Sequence, residues 1–258
     1  MKDGEASTTA RRVAAHRLSF DRVPAPYGDP AADERLARDV AGSVTVTGSS
    51  ETMVSYLAAR TVFFDRITFG ALERGVRQVV IAAAGYDGRA LRYAKNDVRW
   101  FEVDHPDTQR DKLERLERLD NRTGHITFVA ADFADNGLGA TVTGAGYRPD
   151  VPALFLCEGV AIYLDRPVLE SLLRELRGIA AEGSLLAISL SVTSSSEAES
   201  VRRQAFRAAV AAMGEPARTV LSPDEVDSLL STTGWTLRTT QSERARLAGL
   251  LVLEPMSR

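Results

Sequence analysis

The chain has 258 residues, 44% hydrophobic and 26% charged, with a formal net charge of -3, the proportions of a water-soluble globular protein with room for one α/β domain plus additions. That charge, with arginines spread along the chain, excludes the basic footprint of a nucleic-acid binder. A single cysteine, Cys157, excludes an internal disulfide framework, and neither zinc-type spacing nor a run of membrane-spanning length is present.

The opening MKDGEASTTARR lacks the apolar segment of a signal peptide, so a cytoplasmic, metal-independent protein is expected. Residues 1 to about 9 are small and polar and are expected to be disordered. A helical period runs from Thr9 to Phe20, YGDP at Tyr27 to Pro30 breaks it, and Asp33 to Val40 reads as a second short helix. Gly42 to Ser50 is loop-like, with Ser50 as the cap of a longer helix through Phe69, and Gly75 closes that region. Residues 1–75 are thus expected to form a helical lid over a core spanning 76–258. Arg60, in YLAARTVFFDRI, has apolar neighbours on both sides, which favours a buried carboxylate partner.

The core alternates strand and helix: strands at Gln78 to Ala83, Val98 to Val103, Ile126 to Ala130, Ala153 to Cys157 and Leu185 to Leu190, with helices at Pro106 to Leu119 and Val168 to Ala180. Gly144 to Pro152 is a turn-rich loop and Ala198 to Met213 an arginine-bearing helix. Ser222 and Glu225 form a capping box with Pro223 at the first helical position. Trp235 to Thr240 and Leu247 to Leu253 pair as an antiparallel hairpin at the sheet edge. This alternation predicts an α/β fold with a doubly wound, mostly parallel sheet.

Acids fall at the carboxyl ends of successive strands: Asp87, then Glu102 and Asp104, then Asp132, then Glu158. Ligands of open α/β sheets bind outside those ends. One of Glu102 and Asp104 is suited to accept from ribose hydroxyls, and Asp104 lies nearer the tip. Asp132 is placed for the adenine amino group, and Glu158 precedes Gly159 on the fourth strand. The turn AAAGYDG places Gly85 where positive φ and a close backbone approach are wanted, but it does not complete a dinucleotide G-x-G-x-x-G. Several acids with few basic groups around them suit a sulfonium better than a pyrophosphate, which points to S-adenosylmethionine.

The runs ARTVFFD, RQVVIAAAGYDGRALRY, FEVDHPDTQRDK, ADF, LCEGVAIYL and TGW together resemble the leucine carboxyl methyltransferase-like family of S-adenosylmethionine-dependent O-methyltransferases, over about Arg11 to Leu253. That resemblance implies a class I methyltransferase, Rossmann-like seven-stranded sheet with an antiparallel C-terminal strand. It implies that Arg60 holds the methionyl carboxylate, the Gly85 turn passes beneath the cofactor and Asp104 binds the ribose. Asp132 and Phe133 would frame the adenine, Glu158 would approach the methionyl ammonium, and Tyr163 would sit near the methyl group or support the pocket. The chain departs from the family pattern with Ala83 where a first glycine is expected, Gly88 where a threonine is common, and His105 beside the ribose-binding acid.

The expected function is methylation of a carboxylate or hydroxyl of a small molecule in bacterial secondary metabolism, with no nucleic-acid or membrane partner and a homodimer left open. The alternative is a relative that has lost methyl transfer and serves as a cyclase, another non-methylating enzyme or a cofactor-binding regulator. Tyr163 and His105 are the candidate catalytic residues. Of the other histidines, His16 is expected to face a lid-covered pocket and His125 the surface.

Overall fold

A computed structural model describes residues 6–44, 51–135, 137–193, 217–239 and 248–257. The expected cap at Ser50, the Ala198 to Met213 helix and most of TSSSEAES lie outside the described residues. Three helices come first, α1 (Thr8–His16), α2 (Pro30–Ala41) and α3 (Glu51–Glu73). There follow β1 (Gln78–Ala82), α4 (Arg89–Arg92), β2 (Arg99–Asp104), α5 (Pro106–Arg118), β3 (Ile126–Ala130) and α6 (Leu138–Gly144). The chain continues through β4 (Leu154–Cys157), α7 (Arg166–Gly178), β5 (Leu185–Ser189), α8 (Pro223–Thr233), β6 (Trp235–Leu237) and β7 (Leu250–Pro255).

The strands form one sheet of order β3-β2-β1-β4-β5-β7-β6. The first five pair in parallel, while β7 inserts antiparallel between β5 and β6. The order reverses between β1 and β4, the place where an open sheet leaves a crevice at its carboxyl edge.

Alternate side chains face opposite ways along a strand, and both faces here are covered. Val79, Ile81, Trp100, Leu154 and Leu156 pack against Leu36 of α2, Phe64 and Leu72 of α3 and Leu116 of α5. Val80, Phe101, Val103, Phe155 and Ile188 pack against Leu138 of α6, Leu172 of α7 and Leu229 of α8. The N-terminal helices therefore share their core with the sheet.

Two local departures from expectation have simple causes. YGDP does not only break a helix; Asp29 accepts from the Ala32 N–H at 2.9 Å and Pro30 occupies the first turn, so α2 starts three residues earlier than expected. Proline there costs no hydrogen bond because the first helical N–H groups have no intrahelical partner. Helix α6 was not anticipated; its sequence, LGATVTG, is rich in glycine and threonine, and the fold supplies what propensity does not by burying Leu138 and Val142 under the sheet. At α8 the capping box forms as expected, with reciprocal bonds between Ser222 and Glu225.

Candidate functional site

The turn after β1 is the centre of the site. Ala83 adopts φ +55 and Gly85 φ +50. The Gly85 N–H donates to the Asp104 carboxylate at the tip of β2, which also accepts from the His105 N–H at 2.7 Å. Desolvation pushes the Asp104 carboxyl up, against the opposing pull of those two N–H groups. Helix α1 lies over this turn: a Cβ added at Gly85 would stand 3.1 Å from the Ala10 Cβ.

Of the two β2 acids, Asp104 alone reaches the turn. Glu102 points into the interior beneath α5, where it is paired with Lys112. Burial is the largest influence on its carboxyl, pushing it up to about 7 in spite of the lysine.

At the tip of β4, Glu158 is surrounded by arginines. Arg60 Nε donates to it at 3.0 Å and Arg89 Nη1 at 2.6 Å, and Arg17 lies 3.6 Å away. Burial would raise this carboxyl, but the charges of Arg89, Arg60 and Arg17 overcome it and hold the group well below the usual carboxylate range. Gly159 follows at φ +72, a conformation that favours glycine, and a Cβ there would crowd Arg60 Nη1 at 3.0 Å.

Arg89 is completely buried and is the hub of a chain of ion pairs. Besides Glu158 it binds Asp87, Asp65 at 2.8 Å and the Thr61 carbonyl at 3.2 Å. Asp65 accepts from Arg22 at 2.6 and 2.9 Å, Arg22 donates to Asp33 at 3.2 Å, and Asp33 accepts from Arg92 at 2.6 Å. Asp33 of α2 lies against Gly88, where an added Cβ would overlap its carboxylate. The threonine expected at this position therefore has no room.

This network corrects the expectation of few basic groups near the strand tips. Asp87, Glu102 and Glu158 all carry cationic partners, and burial outweighed by Arg89 and Arg17 also keeps the Asp87 carboxyl low. Arg17, Arg22, Arg89 and Arg92 went unrecognised from sequence. Arg17 retains a fully buried Nε with no partner among the described residues, as do the hydroxyls of Thr9 and Thr61. Arg60 places only its Nε in a hydrogen bond to a described residue. The carboxylate partner expected for Arg60 is Glu158.

The remaining candidates are distributed around this centre. Asp132 follows β3, whose end is in register with Asp104; it is exposed and accepts from the Ala134 N–H at 2.9 Å. Phe133 is half-buried against the sheet core. Tyr163 ends a short 3-10 turn, Ala161–Tyr163, and joins Val13, Met53, Tyr56, Leu57 and Ile162 in a small cluster apart from both sheet cores. The Arg60 guanidinium carbon lies 5.7 Å from the Tyr56 ring centroid in this cluster. His105 is the N-cap of α5, its Nδ1 accepting from the Asp107 N–H at 3.3 Å. His16 is buried at the end of α1, which lowers its pKa. His125 is not a free surface group: its Nε2 lies 2.7 Å from the Ala90 carbonyl.

The family model for leucine carboxyl methyltransferase matches residues 10–177. A Mycobacterium sp. (strain KMS) protein, provisionally named an S-adenosyl-L-methionine-dependent methyltransferase, is 33% identical over 219 residues, covering 78% of this chain and 73% of that one. A Parafrankia sp. (strain EAN1pec) protein of the same provisional name is 40% identical over 145 residues, and that match spans 54% of this chain and less than half, 45%, of the relative. Among solved structures, a provisionally named methyltransferase from Thermobifida fusca YX superposes with a TM-score of 0.58 at 17% identity, over 99% of this chain and 97% of that one. It supports the fold.

Proposed function

The chain belongs to the leucine carboxyl methyltransferase family, and from that premise we propose that it is an S-adenosylmethionine-dependent O-methyltransferase acting on a carboxylate or hydroxyl of a small molecule. The observation that carries this reading is the pairing of two receptors at one sheet edge. Asp104 is held by two N–H groups beside the Gly85 turn, and Glu158 stands among arginines whose donors are incompletely used.

Those unused donors are the test of fit for the cofactor. A buried N–H without an acceptor is costly; a ligand carboxylate at Arg17 Nε would relieve that cost, and the end of Arg60 that bonds no described residue would join it. Arg60 with Arg17 would hold the methionyl carboxylate, Glu158 the ammonium, Asp104 the ribose, and Asp132 with Phe133 the adenine, above the turn formed by Ala83 and Gly85. When bound, S-adenosylmethionine supplies an electrophilic methyl group on its sulfonium sulfur.

The chain's own task is then to orient an acceptor oxygen and exclude water, and positioning of that kind contributes on the order of 7–11 kcal/mol in favourable cases. Helix α1, seated over the turn, and α2, docked through Asp33, would act as the lid. Tyr163 would stand at the acceptor side, in the apolar cluster beside Arg60. A carboxylate acceptor is ionised near neutral pH and needs no general base. That suits a site in which His105 Nδ1 is occupied as a helix cap.

Ala83 is no argument for lost methyl transfer, because at φ +55 it holds a left-handed conformation of the kind glycine adopts without strain. Calorimetric titration with S-adenosylmethionine tests the assignment. The wild-type protein is expected to bind and Asp104→Ala, folded by its melting curve, to lose binding. Unchanged affinity in the variant removes the ribose assignment, and a wild-type protein that neither binds the cofactor nor transfers its methyl group to any small-molecule acid or phenol overturns the reading.

A further inference from the structure

The sequence contains three lysines, Lys2, Lys95 and Lys112, in a chain that otherwise uses arginine for its cations. Lys112 is placed in the interior, its side chain 3% exposed beneath the sheet's carboxyl edge. From α5 its Nζ makes two contacts. It donates to the main-chain carbonyl of Asp87 at 2.7 Å, and it pairs with the Glu102 carboxylate of β2. Glu102 lies two residues before Asp104 on the same strand and the same face. Asp87 lies two residues after Gly85 in the turn whose N–H meets Asp104. The turn and β2 are therefore fastened together at three points: at the rim by Gly85 and Asp104, next to it by the Ala84 N–H on the Val103 carbonyl at 3.1 Å, and at the far end of the turn by Asp87, Lys112 and Glu102.

We propose that Lys112, braced by Glu102, is a positioning residue that holds the carbonyl of Asp87 and so fixes the spacing between the Gly85 turn and the Asp104 carboxylate. This rests on the methyltransferase reading of the site. Packing alone does not account for the pair. On the same helix, Leu116 joins α5 to the sheet through apolar contact, and an apolar pair of similar volume often replaces a buried ion pair without loss of stability. Leucine or methionine cannot, however, donate to the Asp87 carbonyl. A lysine suits the position better than an arginine because its compact ammonium offers several donors from one nitrogen and can serve a carbonyl and a carboxylate that converge on a point. The turn needs such a brace. It holds Ala83 in the left-handed region; the Ala84 N–H ties only its start to β2, and without Lys112 its Asp87 end can relax away and carry Gly85 from Asp104.

The test compares Lys112→Met, Glu102→Gln and the double variant Glu102→Gln/Lys112→Met by melting temperature, by amide exchange of residues 84–88 in the ligand-free protein, and by calorimetric affinity for S-adenosylmethionine. Lys112→Met leaves a buried carboxylate without its partner and is expected to lower the melting temperature, to speed exchange at Gly85 by about tenfold or more, and to weaken cofactor binding by a similar factor. The double variant is expected to recover most of the melting temperature while Gly85 exchange stays fast and binding stays weak. Glu102→Gln keeps the lysine bond to Asp87 and is expected to stay within about threefold of wild type in both readouts. Recovery of exchange and affinity together with the melting temperature in the double variant would make the pair a stability element only and overturn the proposal. If the wild-type protein binds no S-adenosylmethionine, the functional reading falls, and exchange alone decides the brace: faster exchange in the double variant supports it, unchanged exchange refutes it.

Discussion

Ala83 offers the sharpest test of the local physics at the site. It and Asp120 are the two non-glycine residues with positive φ among those described, and an L-residue in that conformation carries about 1–2 kcal/mol of strain. Ala83→Gly removes the strain. It also frees the unfolded chain, which costs about 0.4–1 kcal/mol, and withdraws a methyl group worth about 0.8 kcal/mol when fully buried; Ala83 is half-buried against the sheet core. The three terms nearly cancel, so the single variant is expected to sit close to wild type. The control is its neighbour. Ala84 is buried, donates its N–H to the Val103 carbonyl at 3.1 Å and has no positive φ. Ala84→Gly therefore pays the entropy and methyl terms with no strain to relieve, a loss of about 1–2 kcal/mol. The difference between the two variants isolates the left-handed strain and is expected to be about 1–2 kcal/mol, equivalent to roughly 2–8 °C in melting temperature for a chain of this size. Urea and thermal unfolding of both proteins measure it. If Ala83→Gly is as destabilising as Ala84→Gly, Ala83 carries no left-handed strain and the turn at the centre of the site is relaxed.

Three further outcomes follow from the same geometry. Gly88→Thr drives a side chain into the Asp33 carboxylate, which Arg22 and Arg92 hold in place; a loss of about 1–3 kcal/mol is expected in urea unfolding, part of it recovered by adding Asp33→Ala. Arg89→Met strips the shared partner from Asp65, Asp87 and Glu158 and is expected to cost about 3–5 kcal/mol, against under about 1 kcal/mol for Arg118→Ala, whose side chain is largely exposed; similar losses for the two would dispose of the hub. Glu102 has a folded pKa of about 7 against 4.5 for the free group, with Lys112, Asp87 and Asp104 as the charges facing it. The native state therefore binds the extra proton, and this group's contribution to stability is greatest below pH 4.5 and is lost as pH rises through 7. Glu102→Gln should flatten that decline, by up to about 3 kcal/mol between pH 4.5 and 8; parallel pH profiles for variant and wild type would refute the assignment.

Much of the frame was readable from local pattern because it depends on local pattern. Apolar runs bounded by glycine and acids become strands β1 to β5, and the capping box at Ser222 is a contact between residues three apart. The choice of Asp104 over Glu102 followed from nearness to the strand tip. The cap role of His105 also has a local signal, since the residue before a proline at the first helical position is the cap. What stayed hidden were contacts between distant segments. Nothing near Arg22 marks Asp65 as its partner 43 residues on, or near Arg60 marks Glu158 at a separation of 98. An arginine within a helical pattern reads as surface until the fold shows where its helix lands.

The consequence for the site is a difference in kind. Strand-tip acids read from sequence were an open, negatively charged pocket awaiting a cation. In the folded chain Glu158, Arg89, Asp65, Arg22, Asp33 and Arg92 alternate in sign from β4 to helix α2. Each buried carboxylate needs its arginines, because burial alone would drive it toward neutrality. One end of that ladder terminates at Arg92 and the partly exposed Glu34 of α2. The other ends at Glu158, flanked by Arg60 and Arg17, and there the donors outnumber the acceptors. An anionic group would complete that end, so under the proposed function a zwitterionic ligand would be received by its carboxylate as much as by its cation. Because Arg17 and Asp33 come from the N-terminal helices, the placement of those helices and the charge state of the site are set by the same bonds.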